Sequence, residues 1–153
     1  WLYSHPRGYT QWCSQQSTRT SGDFNRAVKA MKRWRDVNQD ARRAIKSIVF
    51  ATLLGSHVPA PSPGGINPDA YVIAQTLYSL NQVLQSRLAK PVVANPSLPD
   101  EDLAANWSEA DYALFRGQFD SAAKLAISAH NDPNPSNASR LWRQLFGDAF
   151  PLA

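Results

Sequence analysis

A chain of 153 residues, 43% hydrophobic and 18% charged, has the composition of one globular domain with its own core, which excludes a disordered chain. It has no run of about 20 apolar residues, which excludes a membrane-spanning helix. The net charge of +4 hides an asymmetry: residues 1–60 hold 10 Lys/Arg against 3 Asp/Glu, whereas residues 61–153 hold 6 against 9.

The positive potential therefore gathers in the first part of the chain. That favours a nucleotide, polyanion or nucleic-acid partner, although charge alone fits a solvated helix face equally well. The chain opens Trp1-Leu2-Tyr3-Ser4-His5-Pro6. It shows neither an initiator Met nor a basic stretch followed by an apolar one, so no secretory signal is expected and the chain reads as a piece of something longer. Cys13 is the sole cysteine, which rules out an intrachain disulfide and suits a small core residue. His5, His57 and His130 are scattered without partners at i+3 or i+4, so no zinc site is expected.

Ser4-His5-Pro6 signals a helix start, and a first helix from about Pro6 to Ser17 buries Tyr9 and Trp12. Ser21-Gly22 breaks it, with Asp23 as N-cap of a second, basic helix. There Phe24, Ala27, Val28, Met31 and Trp34 share one face. Arg26, Lys29 and Arg33 lie opposite, and Lys32 sits on the flank beside the apolar edge. A turn over Asn38–Ala41 leads to a helix from Arg43 to His57. Its Ile45, Ile48, Val49, Phe50, Leu53 and Leu54 point all round the cylinder, so it should be buried on most sides. Lys46-Ser47 enters it near its start, where backbone N–H groups lack partners. His57 at its far end suits the helix dipole.

Pro59 to Gly65 is an exposed connector without the lysine of a phosphate-binding loop. Asn67-Pro68 caps and opens a long helix that carries Ile73, Leu77, Leu80, Leu84 and Leu88 on one face and ends at Lys90-Pro91. Val92 to Pro99 is extended and Pro-punctuated, with no convincing strand. Ser108-x-x-Asp111 is a loose capping box. The helix behind it places Tyr112, Phe115, Phe119, Ala122, Ala126 and Ala129 on one face, with Gly117 as a weak point. After Asn131–Pro135, a last helix from about Ser136 carries Ala138, Leu141, Trp142, Leu145 and Phe146 and stops at Gly147, beyond which Phe150-Pro151 folds back. These elements predict an all-α bundle of five or six helices around a central buried helix at about 43–57.

No Ser/His/Asp set is visible. The carboxylate groups Asp100-Glu101-Asp102 and Glu109/Asp111 read as helix-start acids rather than as catalytic pairs. Trp12, Trp34, Trp107 and Trp142 read as core. The sharper candidates are Lys32, flanking one helix, and Lys46 and Ser47 at the mouth of the next, which could converge on a phosphate. Against that, Lys46 fits an ordinary surface residue and Ser47 an ordinary backbone-bonding serine.

Five pieces in order then carry a resemblance. They are Ser4-His5-Pro6-Arg7-Gly8-Tyr9 with Trp12; Ala30-Met31-Lys32-Arg33-Trp34-Arg35 with Asn38; Ile45-Lys46-Ser47-Ile48-Val49 running to Leu54-Gly55; Asn95-Pro96 with Trp107; and Leu141 to Asp148 before Phe150-Pro151. The chain resembles the C-terminal, helical half of the bacterial nucleotidyltransferases (CD-NTases) that include cyclic GMP–AMP synthase and dinucleotide cyclase-like enzymes of anti-phage signalling. The resemblance implies an N-terminal catalytic α/β lobe whose acidic residues hold two Mg²⁺ ions, and a helical lobe that closes the nucleotide cleft. It also implies that the residues matching Lys32 and Ser47 contact the donor triphosphate, that Ile48 lies against the base and that the Asn95-Pro96 loop lines the cleft. NTP substrates, the catalytic lobe of the same protein and regulatory or defence-operon proteins are the implied partners, in the bacterial cytoplasm.

The resemblance implies a Gly-Ser motif and an Asp-x-Asp pair in that catalytic lobe; here Gly55-Ser56 is the only Gly-Ser, and the only Asp-x-Asp, at Asp100 and Asp102, follows the wrong elements. The catalytic lobe is therefore expected to lie outside this chain, which alone should not transfer nucleotides. The competing expectation is a stand-alone helical module that binds nucleic acid or a protein through Arg26, Lys29 and Arg33.

Overall fold

The computed structural model describes residues 6–61 and 67–148. Ser4-His5, the Gly64-Gly65 part of the connector and Phe150-Pro151 lie outside the described residues. The chain forms α1 (Pro6–Arg19), α2 (Asp23–Val37), α3 (Gln39–Ala44), α4 (Ser47–Gly55), α5 (Asp69–Gln85), strands β1 (Ala94–Asn95) and β2 (Leu98–Asp102), α6 (Glu109–Asn131) and α7 (Pro135–Phe146). This is the expected all-α bundle, with a two-stranded hairpin added. Among the described residues no helix is long and apolar enough to cross a membrane.

One aromatic cluster joins three helices. Phe50 of α4 lies 5.4 Å from Phe115 and 6.1 Å from Phe119 of α6, and 5.8 Å from Trp34 of α2, all edge to face. Phe115, Phe119 and Tyr112 are fully buried, as the spacing along α6 predicts. α4 is buried on most sides, and α6 lays the longest buried face against the rest of the core.

The central helix is shorter than its apolar run. Residues 39–44 form a helix of their own, capped by the Asn38 side chain, which accepts from the Ala41 N–H at 3.1 Å. Ile45 and Lys46 are extended, and α4 begins only at Ser47. In an unbroken helix the Ala44 carbonyl would accept from Ile48 N–H. Here Trp107 Nε1 donates to it at 2.6 Å, so the ladder stops. At the other end α4 closes at Gly55, not His57. The His57 ring shares a 2.7 Å hydrogen bond with Ser79, and burial pushes its pKa down, so it is not a cation at the helix end.

Other boundaries shift for similar reasons. Asp23 does not cap α2: the residue before the helix is Gly22 at φ 86°, and Thr20 Oγ1 accepts from Phe24 N–H at 2.9 Å. Asp23 is buried instead, paired with Arg26 and accepting from Asn67 Nδ2 at 3.1 Å. Asn67 is not the cap of α5, a position that Pro68 takes. α5 ends at Gln85 because side chains of α6 take its last carbonyls. Arg116 donates to Leu84 O at 3.0 Å and Gln85 O at 2.8 Å, and Tyr112 Oη donates to Arg87 O at 2.8 Å. Leu88, placed on the buried face by its spacing, is 85% exposed.

β1 and β2 pair antiparallel, Asn95 opposite Leu98, with a register shift beyond. The acids 100–102 thus lie on a strand and not at a helix start. Asp102 Oδ1 accepts from Val93 N–H and Ala104 N–H, both at 2.9 Å, which ties the hairpin's two flanks together.

The Ser108 cap and the Gly147 stop form as read. Ser108 Oγ accepts from Asp111 N–H at 3.0 Å. α7 begins one residue earlier than its spacing suggests, at Pro135, with Asn134 as a cap not singled out from sequence. Gly147 ends α7 at φ 83°, a conformation that favours glycine. Gly117 sits exposed inside α6 with open space where a Cβ would stand. Gly117→Ala is therefore expected to stabilise the chain by about 1 kcal/mol, seen as a higher midpoint in urea at unchanged slope. An unchanged or lower midpoint would show that α6 needs its glycine.

Candidate functional site

The first turn of α4 brings three of the candidate residues together. Lys46 is the extended residue before the helix, and Ser47 and Ile48 are its first two residues. Their position leaves the N–H groups of Ser47, Ile48 and Val49 outside the helical ladder and directed along the positive end of the helix dipole. Lys46 is exposed, Ser47 half-buried and Ile48 buried. The Ile48 carbonyl accepts from Thr52 Oγ1 at 2.6 Å and from Tyr9 Oη at 3.3 Å, so α1 braces this turn. Burial pushes the Tyr9 pKa up to about 12, which keeps the phenol a neutral donor.

The Ser47 hydroxyl accepts from Arg35 Nη1 on α2. Arg35 was not singled out from sequence, although it stands three residues after Lys32, one turn along the same side of the helix. Lys32 itself is exposed. Its charge lies close enough to Cys13 on α1 to oppose the upward shift that burial gives the thiol. Cys13 lies one turn beyond Tyr9 on α1, so Lys32 and the first turn of α4 border the same face of that helix.

Asn95 is buried in the hairpin. Its side-chain oxygen accepts from Ser97 N–H at 2.9 Å and Ser97 Oγ at 2.8 Å, and its amide donates to Glu101 Oε1 at 3.1 Å. The residue therefore builds the turn. That turn rests on α1, where a Cβ at Gly8 would come within 2.5 Å of the Ser97 Cβ. α1 thus touches both the Asn95 hairpin, through Gly8, and the first turn of α4, through Tyr9.

The basic stripe on α2 is largely engaged within the fold. Arg26 pairs with Asp23 and lies 3.3 Å from Asp69. Arg33 Nε donates to the Phe146 carbonyl at 3.0 Å, closing the end of α7. Lys29, exposed, is the one of the three with neither a hydrogen bond nor an ion pair among the described residues. The tryptophans are core as expected: Trp34, Trp107 and Trp142 are buried, and Trp12 packs half-buried on the cluster. Among the described residues no three of His, Cys, Asp or Glu gather as a metal site.

No family model matches the chain. It is 27% identical over 153 residues to a "Probable cyclic AMP-AMP-GMP nucleotide synthase" of Salmonella paratyphi B, covering 99% of this chain and 40% of that protein. It is 28% identical over 160 residues to a "Cyclic AMP-AMP-GMP synthase" of Enterobacter hormaechei subsp. hoffmannii, with the same coverage. A "Cyclic AMP-AMP-AMP synthase" of an Acinetobacter species is 22% identical over 151 residues, covering 99% of this chain and 44% of that protein. The chain spans about two-fifths of the length of these relatives. The likeness therefore runs along nearly the whole chain, which is a homologue of part of these bacterial cyclic-oligonucleotide synthases.

Proposed function

We propose that this chain is the C-terminal helical lobe of a nucleotidyltransferase that joins NTPs into a cyclic or linear oligonucleotide messenger in bacterial anti-phage defence. The reaction is in-line attack on an α-phosphate. It belongs to a catalytic lobe outside this chain, where carboxylates would hold Mg²⁺. The helical lobe binds and orients the donor nucleotide. Lys32 and Lys46 meet the triphosphate as cations, and Ser47 donates its hydroxyl and its backbone N–H. Ile48 offers an apolar surface to the base, and the Asn95 hairpin borders the cleft. The protein works in the cytoplasm, with NTPs as substrates and with the catalytic lobe and defence-operon proteins as partners.

The observation that carries this reading is the first turn of α4. Its unpaired N–H groups, the flanking Lys46 and the Ser47 hydroxyl stand beside α2. A helix N-terminus with cations around it suits a polyphosphate. Arg35, which holds Ser47, is a positioning residue in this scheme, able to release the hydroxyl to a phosphate oxygen or to follow it there.

The test is made in the full-length parent. Lys32→Ala should raise KM for NTP about 10–100-fold, the loss of one charge-assisted contact, whereas Arg26→Ala should change it less than about threefold. Equal losses from Lys32→Ala, Arg26→Ala, Lys29→Ala and Arg33→Ala, with affinity for nucleic acid falling steeply with salt, would favour the helical binding module instead.

A further inference from the structure

A cleft of about 230 Å³ lies between the α3–α4 junction and the start of α6. From one side it is lined by Arg35, Arg42, Arg43 and Lys46, and from the other by Asp102 and Asp111. Trp107, with its indole N–H bound to Ala44, contributes an aromatic surface. Lys32 does not line it.

Opposite charges facing one cleft ordinarily close on each other, and here they do not. Among the described residues no ion pair joins Asp102 or Asp111 to any of these four cations. Arg43 pairs with Asp40 at 2.5 Å on the exposed rim. Asp102 spends Oδ1 on the backbone of the hairpin. Arg42, Lys46 and Asp111 are exposed, and among the described residues none has a partner for its charge. Arg35 Nε is buried without an acceptor. A buried guanidinium N–H left unpaired is costly, and an incoming anion relieves it.

The occupant must therefore be anionic at one end and carry hydrogen-bond donors at the other. Inorganic phosphate answers only the basic side. A polynucleotide would bring further phosphates towards Asp102 and Asp111, which repel them. At about 230 Å³ the cleft is smaller than the 300–1,000 Å³ or so of sites that enclose drug-sized molecules, so it seats one nucleotide in part and no longer strand. We propose that this cleft binds one nucleoside phosphate, its phosphate against Arg35, Arg42 and Lys46 and the donor edge of its base facing Asp111. A base that presents two adjacent N–H donors to a carboxylate, as guanine does, fits best. The site shares Lys46, and Arg35 that holds Ser47, with the proposed donor scheme, whereas Arg42, Asp102 and Asp111 belong to the cleft alone.

The test is calorimetric titration of this chain with guanosine monophosphate, adenosine monophosphate, inorganic phosphate and a short single-stranded oligonucleotide. The fold of each variant is checked by circular dichroism. Guanosine monophosphate should bind most tightly and phosphate least. Arg42→Ala should weaken both nucleotides about 10–100-fold, with Arg42→Lys intermediate. Asp111→Asn should narrow the gap between the two nucleotides, and Arg42→Ala should weaken both by clearly more than Lys32→Ala does. Phosphate binding as well as the nucleotides, the oligonucleotide binding more tightly than either, no binding by the folded wild-type chain, or equal losses from Arg42→Ala and Lys32→Ala would each overturn the proposal. The last result would merge the cleft with the donor site without harming the donor reading. Failure of the Lys32→Ala test in the parent would harm the donor reading alone.

Discussion

Phe115→Ala is expected to destabilise the chain by about 3–5 kcal/mol, the cost of deleting a buried aromatic ring and leaving its cavity. Phe115 is the ring through which the helices meet. It lies 5.4 Å from Phe50 of α4, 5.4 Å from Phe119 of α6, 5.7 Å from Trp107 and 6.4 Å from Trp34 of α2. None of these neighbours can collapse into the gap without leaving another contact, so relaxation recovers little. Urea denaturation read by far-ultraviolet circular dichroism gives the value directly. Phe115→Leu keeps more of the volume and should cost clearly less. A loss below about 1 kcal/mol for Phe115→Ala would mean that α4 and α6 do not share one core.

Trp107→Ala should cost a similar amount, about 3–5 kcal/mol, through two separable effects. The indole packs at 5.3 Å, edge to face, on Tyr112 and beside Phe115. Its N–H also holds the Ala44 carbonyl at the break between α3 and α4. Trp107→Phe removes the hydrogen bond while keeping a ring, and should cost about 1–3 kcal/mol by leaving that buried carbonyl without its donor. It should also raise amide exchange at the start of α4, because the break loses its anchor. If Trp107→Phe is neutral and exchange is unchanged, the hydrogen bond does not define the junction. In the proposed parent enzyme the same change would disturb Lys46 and Ser47, which follow Ala44 within three residues, so nucleotide use should fall although Trp107 lies outside the proposed donor contacts.

The two substitutions bear on how the chain can act. A donor site at the first turn of α4 needs that turn to be open, with Lys46 extended and the next three N–H groups unpaired. A continuous helix from Arg43 to His57 would have spent those groups on its own ladder. The break supplies them, and it is held by a tryptophan from a segment 63 residues away in the sequence. The core that binds the helices together is therefore also what shapes the proposed phosphate contacts.

Periodicity along the sequence was enough to determine the helical class and most buried faces. The i, i+3, i+4 spacing that places Phe24, Ala27, Met31 and Trp34 on one stripe is a local property of the α-helix, so burying that stripe requires no knowledge of the partner. The same is true of Tyr112, Phe115 and Phe119, and of the Ser108 and Gly147 ends, where cap and stop act over a few residues. The candidates Lys46 and Ser47 were legible because a polar pair at the head of an apolar run is also a local pattern. The rest depended on long-range contacts. Where α4 begins is decided by Trp107, and where α5 ends is decided by Tyr112 and Arg116. Asp23 lost its cap role to a buried meeting with Arg26 and Asn67, and Arg33 left the basic stripe to close α7. Apart from the Asp23–Arg26 pair, which is one helical turn apart, each of these joins residues that sequence spacing does not bring together, and a buried polar group takes whichever partner the packing supplies.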